Sequence, residues 1–208
     1  DALAYLGNII TAKKDEKWLA AGIQFTSFQL LKSSAILAYQ FGKKEIAVLG
    51  VSRLVLPSEN AAYLNLQFGL KAIYRIQTGE IQSNAEIADG SFLIHKSVQL
   101  DGSVAVYTWL KGENSGDFVL TIGGYHPRFN KPSHYPTVPK VGFSWMVSDT
   151  TKIRGNTYFA LTSQAIMTGF NFEATYEKGK LKAWFKANSD LILQWKPFYY
   201  DFHTQIHL

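Results

Sequence analysis

The chain has 208 residues, of which 47% are hydrophobic and 18% charged, a composition typical of a globular fold with a sizeable core. The formal net charge is only +5 and no long block of like charges occurs, so we expect no nucleic-acid partner. Cysteine is absent, which excludes disulfides and thiolate chemistry but leaves the compartment open. No apolar run reaches the ~18 residues of a membrane helix, so we expect no membrane span.

Alternation of apolar and polar residues predicts β-strands along most of the chain. Ala61–Ile76 and Ile166–Tyr176 alternate most clearly, and we expect their apolar positions to be buried. The N-terminal segment Asp1–Ile10 is short and apolar and fits either a helix or a strand. The other predicted strands are Trp18–Leu31, Ala35–Phe41, Glu45–Leu56, Glu80–Ile87, Val104–Leu110, Asp117–Ile122, Val141–Val147, Lys152–Leu161, Leu181–Ser189, Leu191–Trp195 and Phe198–Leu208.

Tight turns separate these strands, with Asp89-Gly90, Asp101-Gly102 and Lys178-Gly179 as examples. Such spacing favours an all-β antiparallel meander of long amphipathic strands that forms a curled sheet, a sandwich or an open barrel. We find no linker and no internal repeat. The sequence therefore predicts a single β-rich module over residues 1–208, which we expect to be a fragment of a larger protein.

One stretch departs from the alternation, and we call Gly123–Pro139 the proline loop. Four of the six prolines of the chain fall in it, and proline cannot donate to a sheet ladder. Gly123-Gly124 permits a sharp exit from the preceding strand. Long loops of this kind are usually functional or disordered, and the aromatic side chains argue for order. We expect the loop to pack on the sheet.

The same loop holds the candidate binding residues, which are Tyr125, His126, Arg128, His134 and Tyr135. A metal site would need a further ligand near His126 and His134, and only Asn130 or a carboxylate from elsewhere in the chain is available. We weigh this against a structural role, in which the histidines and Arg128 hydrogen-bond loop carbonyls, and the structural role is favoured. No catalytic residue, metal or cofactor is predicted. Asp190 and Asp201 form an acid pair only if the fold brings them together.

Several long motifs resemble one family. They are GDFVLTIGGYHPRFNKPSHYPTVP, YFALTSQAIM and LKAWFKANSDLILQWKPFYYD, supported upstream by WLAAGIQFTSFQL and VLGVSRLVLP. The chain resembles a family of very large, uncharacterised bacterial and fungal proteins that share a domain of unknown function. This resemblance covers nearly the whole chain, implies that the piece belongs to a longer protein, and implies no catalytic residues.

Three functions stay open. The favoured one is a non-enzymatic structural or interaction module of a large bacterial secreted or injected protein, whose partner is the remainder of the parent chain. The second is a β-sheet module that binds lipid or another hydrophobic ligand, which requires the apolar face to be open. The third is an enzyme with its site in residues 123–139. Phe198–Leu208 would leave an open sheet edge, so self-association through this C-terminal strand is expected as well.

Overall fold

The structure is a computed structural model, and it describes residues 16–27 and 30–208. The described part of the chain contains fourteen strands and no helix. They are β1 Trp18–Ser27, β2 Leu31–Gln40, β3 Glu45–Leu56, β4 Leu64–Arg75, β5 Glu80–Ile87, β6 Phe92–Leu93, β7 Val98–Asp101, β8 Ser103–Trp109, β9 Phe118–Ile122, β10 Val141–Ser148, β11 Thr151–Thr162, β12 Ala165–Lys178, β13 Leu181–Trp195 and β14 Phe198–His207. The predicted all-β class is confirmed, and the form is one curled sheet in which every pairing is antiparallel.

Most predicted strand positions are confirmed, with three corrections. The single strand expected over Trp18–Leu31 is wrong, because β1 ends at Ser27 and Leu31 begins β2 and is paired with Ser27. The break expected between Trp18–Leu31 and Ala35–Phe41 is wrong, because Ser33 lies within β2 and its hydroxyl is 2.8 Å from that of Ser52 on β3. The break expected between Leu181–Ser189 and Leu191–Trp195 is also wrong, because β13 runs straight through Ser189. In the last two places a serine occupies a strand by pairing with a hydroxyl on the neighbouring strand, at 3.0 Å for Ser189 and Thr204. Asp1–Ile10 lies outside the described residues.

The sheet is a meander whose middle strands are interrupted. Between β4 and β11 the place of each long strand is taken by two short strands that lie end to end. These pairs are β5 with β6, β8 with β7, and β9 with β10. The register continues across each interruption. Ile122 at the end of β9 is opposite Phe159, and Val141 at the start of β10 is opposite Thr157. The proline loop and Lys140 are therefore inserted where the neighbouring strand β11 has only Tyr158.

Residues that are paired across strands lie on the same side of a sheet, so the registers divide the strands into two faces. We call these face A and face B. In each strand, face A begins at one residue and includes every second residue after it; in β10 it ends before the bulge at Val147. The first face A residues of β1 to β14 are, in order, Leu19, Leu31, Ile46, Leu64, Ile81, Leu93, Val98, Val104, Phe118, Val141, Thr151, Ile166, Leu181 and Phe198. Face B comprises the alternate strand residues.

The expectation that the apolar positions of the two most clearly alternating segments are buried is wrong. The apolar positions of Ala61–Ile76 and Ile166–Tyr176 do share one face, but that face is face A, and it is not the buried one. In β12, Phe170 on face A is 49% exposed whereas Met167 on face B is fully buried. In β4 the buried residues are Asn65 and Ile73, which are also on face B. In β8, β9 and β11 to β13 the reason is that the proline loop covers face B, so that part of the core forms on that side.

Candidate functional site

The proline loop leaves β9 through a pair of glycines that no other residue could replace without strain. Gly123 and Gly124 have φ of 73° and 96°, in the left-handed region that favours glycine. A Cβ on Gly123 would clash with the backbone oxygen of Thr157 on β11 and the backbone nitrogen of Val141. The two ends of the loop therefore lie side by side, and the loop leaves and re-enters the sheet at one point.

Aromatic side chains hold the loop on face B. Tyr125 and Phe129 pack against the cluster of Tyr158, Ala160, Ala165, Met167 and Ile192, which are all buried face B residues. Tyr135 is 4% exposed and stacks on Trp109 with ring centroids 5.8 Å apart. Burial of each large side chain contributes about 1.5–3 kcal/mol to the free energy of unfolding. The expectation that the loop packs on the sheet is confirmed.

Asp117, just before β9, anchors the second half of the loop. Its Oδ1 accepts hydrogen bonds from the hydroxyl of Tyr135 at 2.7 Å and from the hydroxyl of Ser163. Its Oδ2 lies 2.7 Å from Nε2 of His134, whose ring meets Trp109 edge to face. Burial by itself raises the pKa of this carboxyl, but the hydrogen bonds from Ser163, His134 and Tyr135 and the backbone of Phe118 outweigh it and hold the pKa below its usual value.

Tyr135 donates a hydrogen bond to Asp117 through its phenol. Burial raises the pKa of its phenol, and the hydrogen bond to Asp117 raises that pKa further. The phenol is therefore neutral near pH 7 and cannot serve there as a base or a nucleophile. Each of these contacts is within the chain, which is the behaviour of an anchor.

His126 and Arg128 form a separate group at the C-terminal edge of the sheet. Arg128 donates to Oδ2 of Asp201 on β14 at 2.9 Å, and Nε2 of the buried His126 lies 3.7 Å from the same oxygen. That Nε2 has no hydrogen-bond partner among the described residues, while Nδ1 accepts from the backbone N–H of Arg128. Desolvation lowers the pKa of His126, against the opposing influence of Asp190 and Asp201, so the ring is held neutral.

The structure therefore separates the five predicted residues. His134 and Tyr135 share Asp117, whereas His126 and Arg128 share Asp201, and Tyr125 donates to the backbone oxygen of Pro136 at 3.0 Å. They do not converge in one pocket. The expectation that Arg128 hydrogen-bonds several loop carbonyls is wrong, because its side chain is 64% exposed and reaches Asp201. Lys131 performs that role instead, with Nζ donating to the backbone oxygen of Tyr135 at 2.9 Å.

Asp190 and Asp201, the candidate acid pair, lie in the same region as His126 and Arg128. Asp190 and Asp201 both lie on face B, since Asp201 is opposite Ile192. Each carboxylate has its own donor, because Tyr158 donates to Asp190 at 2.8 Å and Arg128 donates to Asp201. Residues 16–27 and 30–208 contain no cluster of three or more His, Cys, Asp or Glu side chains arranged to hold a metal ion. Sequence reasoning missed the anchors Asp117, Ser163 and Asp201, because nothing local in the sequence links them to the loop.

Face A is the second candidate site, and unlike the proline loop it is an apolar surface. Among its described strand residues, Lys178 at the end of β12 is the only Asp, Glu, Lys or Arg. All other charged strand residues, from Lys32 in β2 to Asp201 in β14, lie on face B. Face A spans about ten interstrand spacings of ~4.8 Å, or roughly 50 Å. Its exposed side chains include Ile23, Phe170 and Phe202, at 57%, 49% and 65%.

Comparison with known proteins gives one match. The model of the "Family of unknown function (DUF6603)" matches residues 1–208. The chain belongs to the DUF6603 family. No curated protein and no solved structure matches it. Membership confirms the resemblance to a domain of unknown function, and the DUF6603 match covers both the proline loop and face A. Within the described residues, the structure has no helix long and apolar enough to cross a membrane.

Proposed function

We propose that this chain is a non-enzymatic binding module that holds the acyl chains of lipids on face A. The observation that carries the proposal is the apolar surface of face A, which has a single charged residue among the strand residues that the structure describes. Apolar patches on soluble monomers rarely exceed a few hundred Å². A face roughly 50 Å across is far larger and needs a cover.

The chemistry of face A favours acyl chains over a protein partner as that cover. Protein interfaces carry about one hydrogen bond per 100–200 Å² and a polar rim. Face A offers few polar groups besides hydroxyls such as those of Ser52, Thr168 and Thr204, and its bulk is Leu, Ile, Phe and Ala. Acyl chains make no hydrogen bonds and lose nothing on such a surface.

A pair of matched variants tests this proposal. Phe170 on β12 and Trp184 on β13 are 49% and 51% exposed, but Phe170 lies on face A and Trp184 on face B. We expect Phe170→Asp to weaken binding of a fluorescent long-chain fatty acid at least tenfold, because it introduces a charge among apolar chains. Trp184→Asp should leave the affinity within twofold. Circular dichroism and thermal melts of both variants establish that they fold.

Two results would overturn the proposal. One is a wild-type protein that neither binds the fatty acid nor carries extractable lipid after purification. The other is an equal loss of affinity in both variants, which would place the ligand elsewhere or reflect general destabilisation. Loss of binding in Phe170→Asp together with a change from dimer to monomer would instead indicate that face A is covered by a second copy.

A second candidate is a structural or interaction module of a large bacterial secreted or injected protein, with the remainder of the parent chain as its partner. One observation supports it. The polar side chains of the proline loop are largely engaged within the chain, as in the bonds of Asp117 to Tyr135 and Ser163. On this account, the wild-type protein shows no specific fatty acid binding while Asp117→Asn lowers its stability, and specific binding that Phe170→Asp abolishes at unchanged stability contradicts it.

A further inference from the structure

The last strand of the sheet, β14, presents an edge that is open in the described part of the chain. β14 pairs with β13 and with no other described strand. Natural proteins usually protect such edges with lysines, prolines or bulges. Phe198–His207 contains no Lys, Arg or Pro, and its pairing with β13 runs through ten residues without a register shift. This strand therefore lacks the lysines, prolines and bulges that usually protect an edge, and Asp201 is its one Asp, Glu, Lys or Arg residue.

The sequence of β14 is complementary to itself in one register. In an antiparallel pair centred on Phe202, the face A residues Phe198 and Tyr200 are opposite Ile206 and Thr204. On face B, Asp201 is opposite His203, and Tyr199 is opposite Gln205. Each pair is apolar with apolar, aromatic with hydroxyl or amide, or carboxylate with imidazole, which are favourable cross-strand neighbours.

Neighbouring registers are worse. A pair centred on Asp201 would place two carboxylates opposite each other, and like charges in this position are destabilising. A pair centred on His203 would place two histidines opposite each other and leave Asp201 facing Gln205. A shift by one residue would put face A of one strand beside face B of the other, which exchanges every apolar position for a polar one.

We propose that β14 pairs with β14 of a second copy of this chain, antiparallel and centred on Phe202. The two-fold axis then lies perpendicular to the sheet, so both copies present face A on the same side and the proline loop on the other. The dimer is one continuous sheet with twice the apolar face of a single copy. This inference does not depend on lipid binding, because it is derived from the edge and its register.

Single cysteines test the register directly, since the chain has no cysteine of its own. Opposite residues of an antiparallel pair have Cα atoms about 4.5–5.5 Å apart, within the range of a disulfide. Phe202→Cys should therefore form an intermolecular disulfide under mild oxidation. Tyr200→Cys should not, because in this register its two copies are about 13 Å apart along the strands. Mixing Tyr200→Cys with Thr204→Cys should restore cross-linking, because these positions are opposite each other.

The oligomeric state of the cysteine-free protein gives the second measurement. We expect a dimer by light scattering, and at least a tenfold weaker dimer for Phe202→Lys, which places two ammonium groups opposite each other. Leu19→Lys is the matched control, because Leu19 is a comparably exposed face A residue on the other edge strand, at 68% against 65% for Phe202. A monomeric wild type, equal effects of the two lysines, or self-linking of Tyr200→Cys in place of Phe202→Cys would each overturn the proposal.

Discussion

The two faces of this sheet are made of the same strands but have opposite chemistry. Face B carries the charges and also the core, because the proline loop covers part of it with Tyr125, Phe129 and Tyr135. Face A carries the apolar residues and has exposed side chains such as Phe170 and Phe202. Apolarity by itself therefore does not locate the core of this protein. Two clusters of the core lie where the proline loop folds back on face B, whereas the more apolar face A keeps exposed side chains.

The largest expected difference between the faces concerns stability. Trp109→Ala should lower the free energy of unfolding by about 3–5 kcal/mol, because the buried indole contacts both Tyr135 and His134. Leu19→Ala on face A should lower it by at most about 0.5 kcal/mol, since Leu19 is 68% exposed and lies outside the β14 edge. Urea unfolding of both variants measures the difference. Comparable losses would show that face A is packed in solution.

A smaller effect is expected at the Asp117 anchor, and it depends on pH. The pKa of Asp117 lies below its ordinary value of 3.8, so its contribution to stability is complete above that value and is lost as the pH falls through the lower native pKa. Asp117→Asn should lower the free energy of unfolding by about 1–3 kcal/mol at pH 7, since the hydrogen bonds from Tyr135, His134 and Ser163 weaken. The deficit should shrink when the wild-type carboxyl is protonated.

The control for that prediction is Glu113→Gln, which removes an exposed carboxylate from the same turn. Its unfolding free energy should follow that of the wild type across the whole pH range. A constant deficit of Asp117→Asn from pH 7 down to pH 2 would contradict the assignment of Asp117 as the titrating anchor.

The smallest expected effect is at Arg128. Its guanidinium is mostly exposed and pairs with Asp201, and exposed ion pairs contribute about 0–1 kcal/mol. Arg128→Ala should therefore change the melting temperature very little, and fatty acid binding on face A should be unchanged. A large loss of stability would show that Arg128 fixes the loop more firmly than its single ion pair indicates.

The sequence predicted the strands well, because period-two alternation and turn residues are local signals. It also predicted which residues share a face, as in β12, where Phe170 and Phe172 lie together. It could not predict which face is buried, since that depends on the direction in which the proline loop folds. The same limit applies to the anchors. Asp117 and Ser163 meet only because β9 and the end of β11 are neighbours, and Arg128 meets Asp201 across 73 residues of chain.

The most direct test of face A is tryptophan quenching by fatty acids with brominated acyl chains, which quench only on contact. Trp195 lies on face A and Trp184 on face B of the same strand, at 42% and 51% exposure. Trp195→Phe should remove a large share of the quenching, whereas Trp184→Phe should remove little of it. If Trp184→Phe removes the larger share, or if brominated chains quench neither residue, the acyl chains do not lie on face A and the account is wrong.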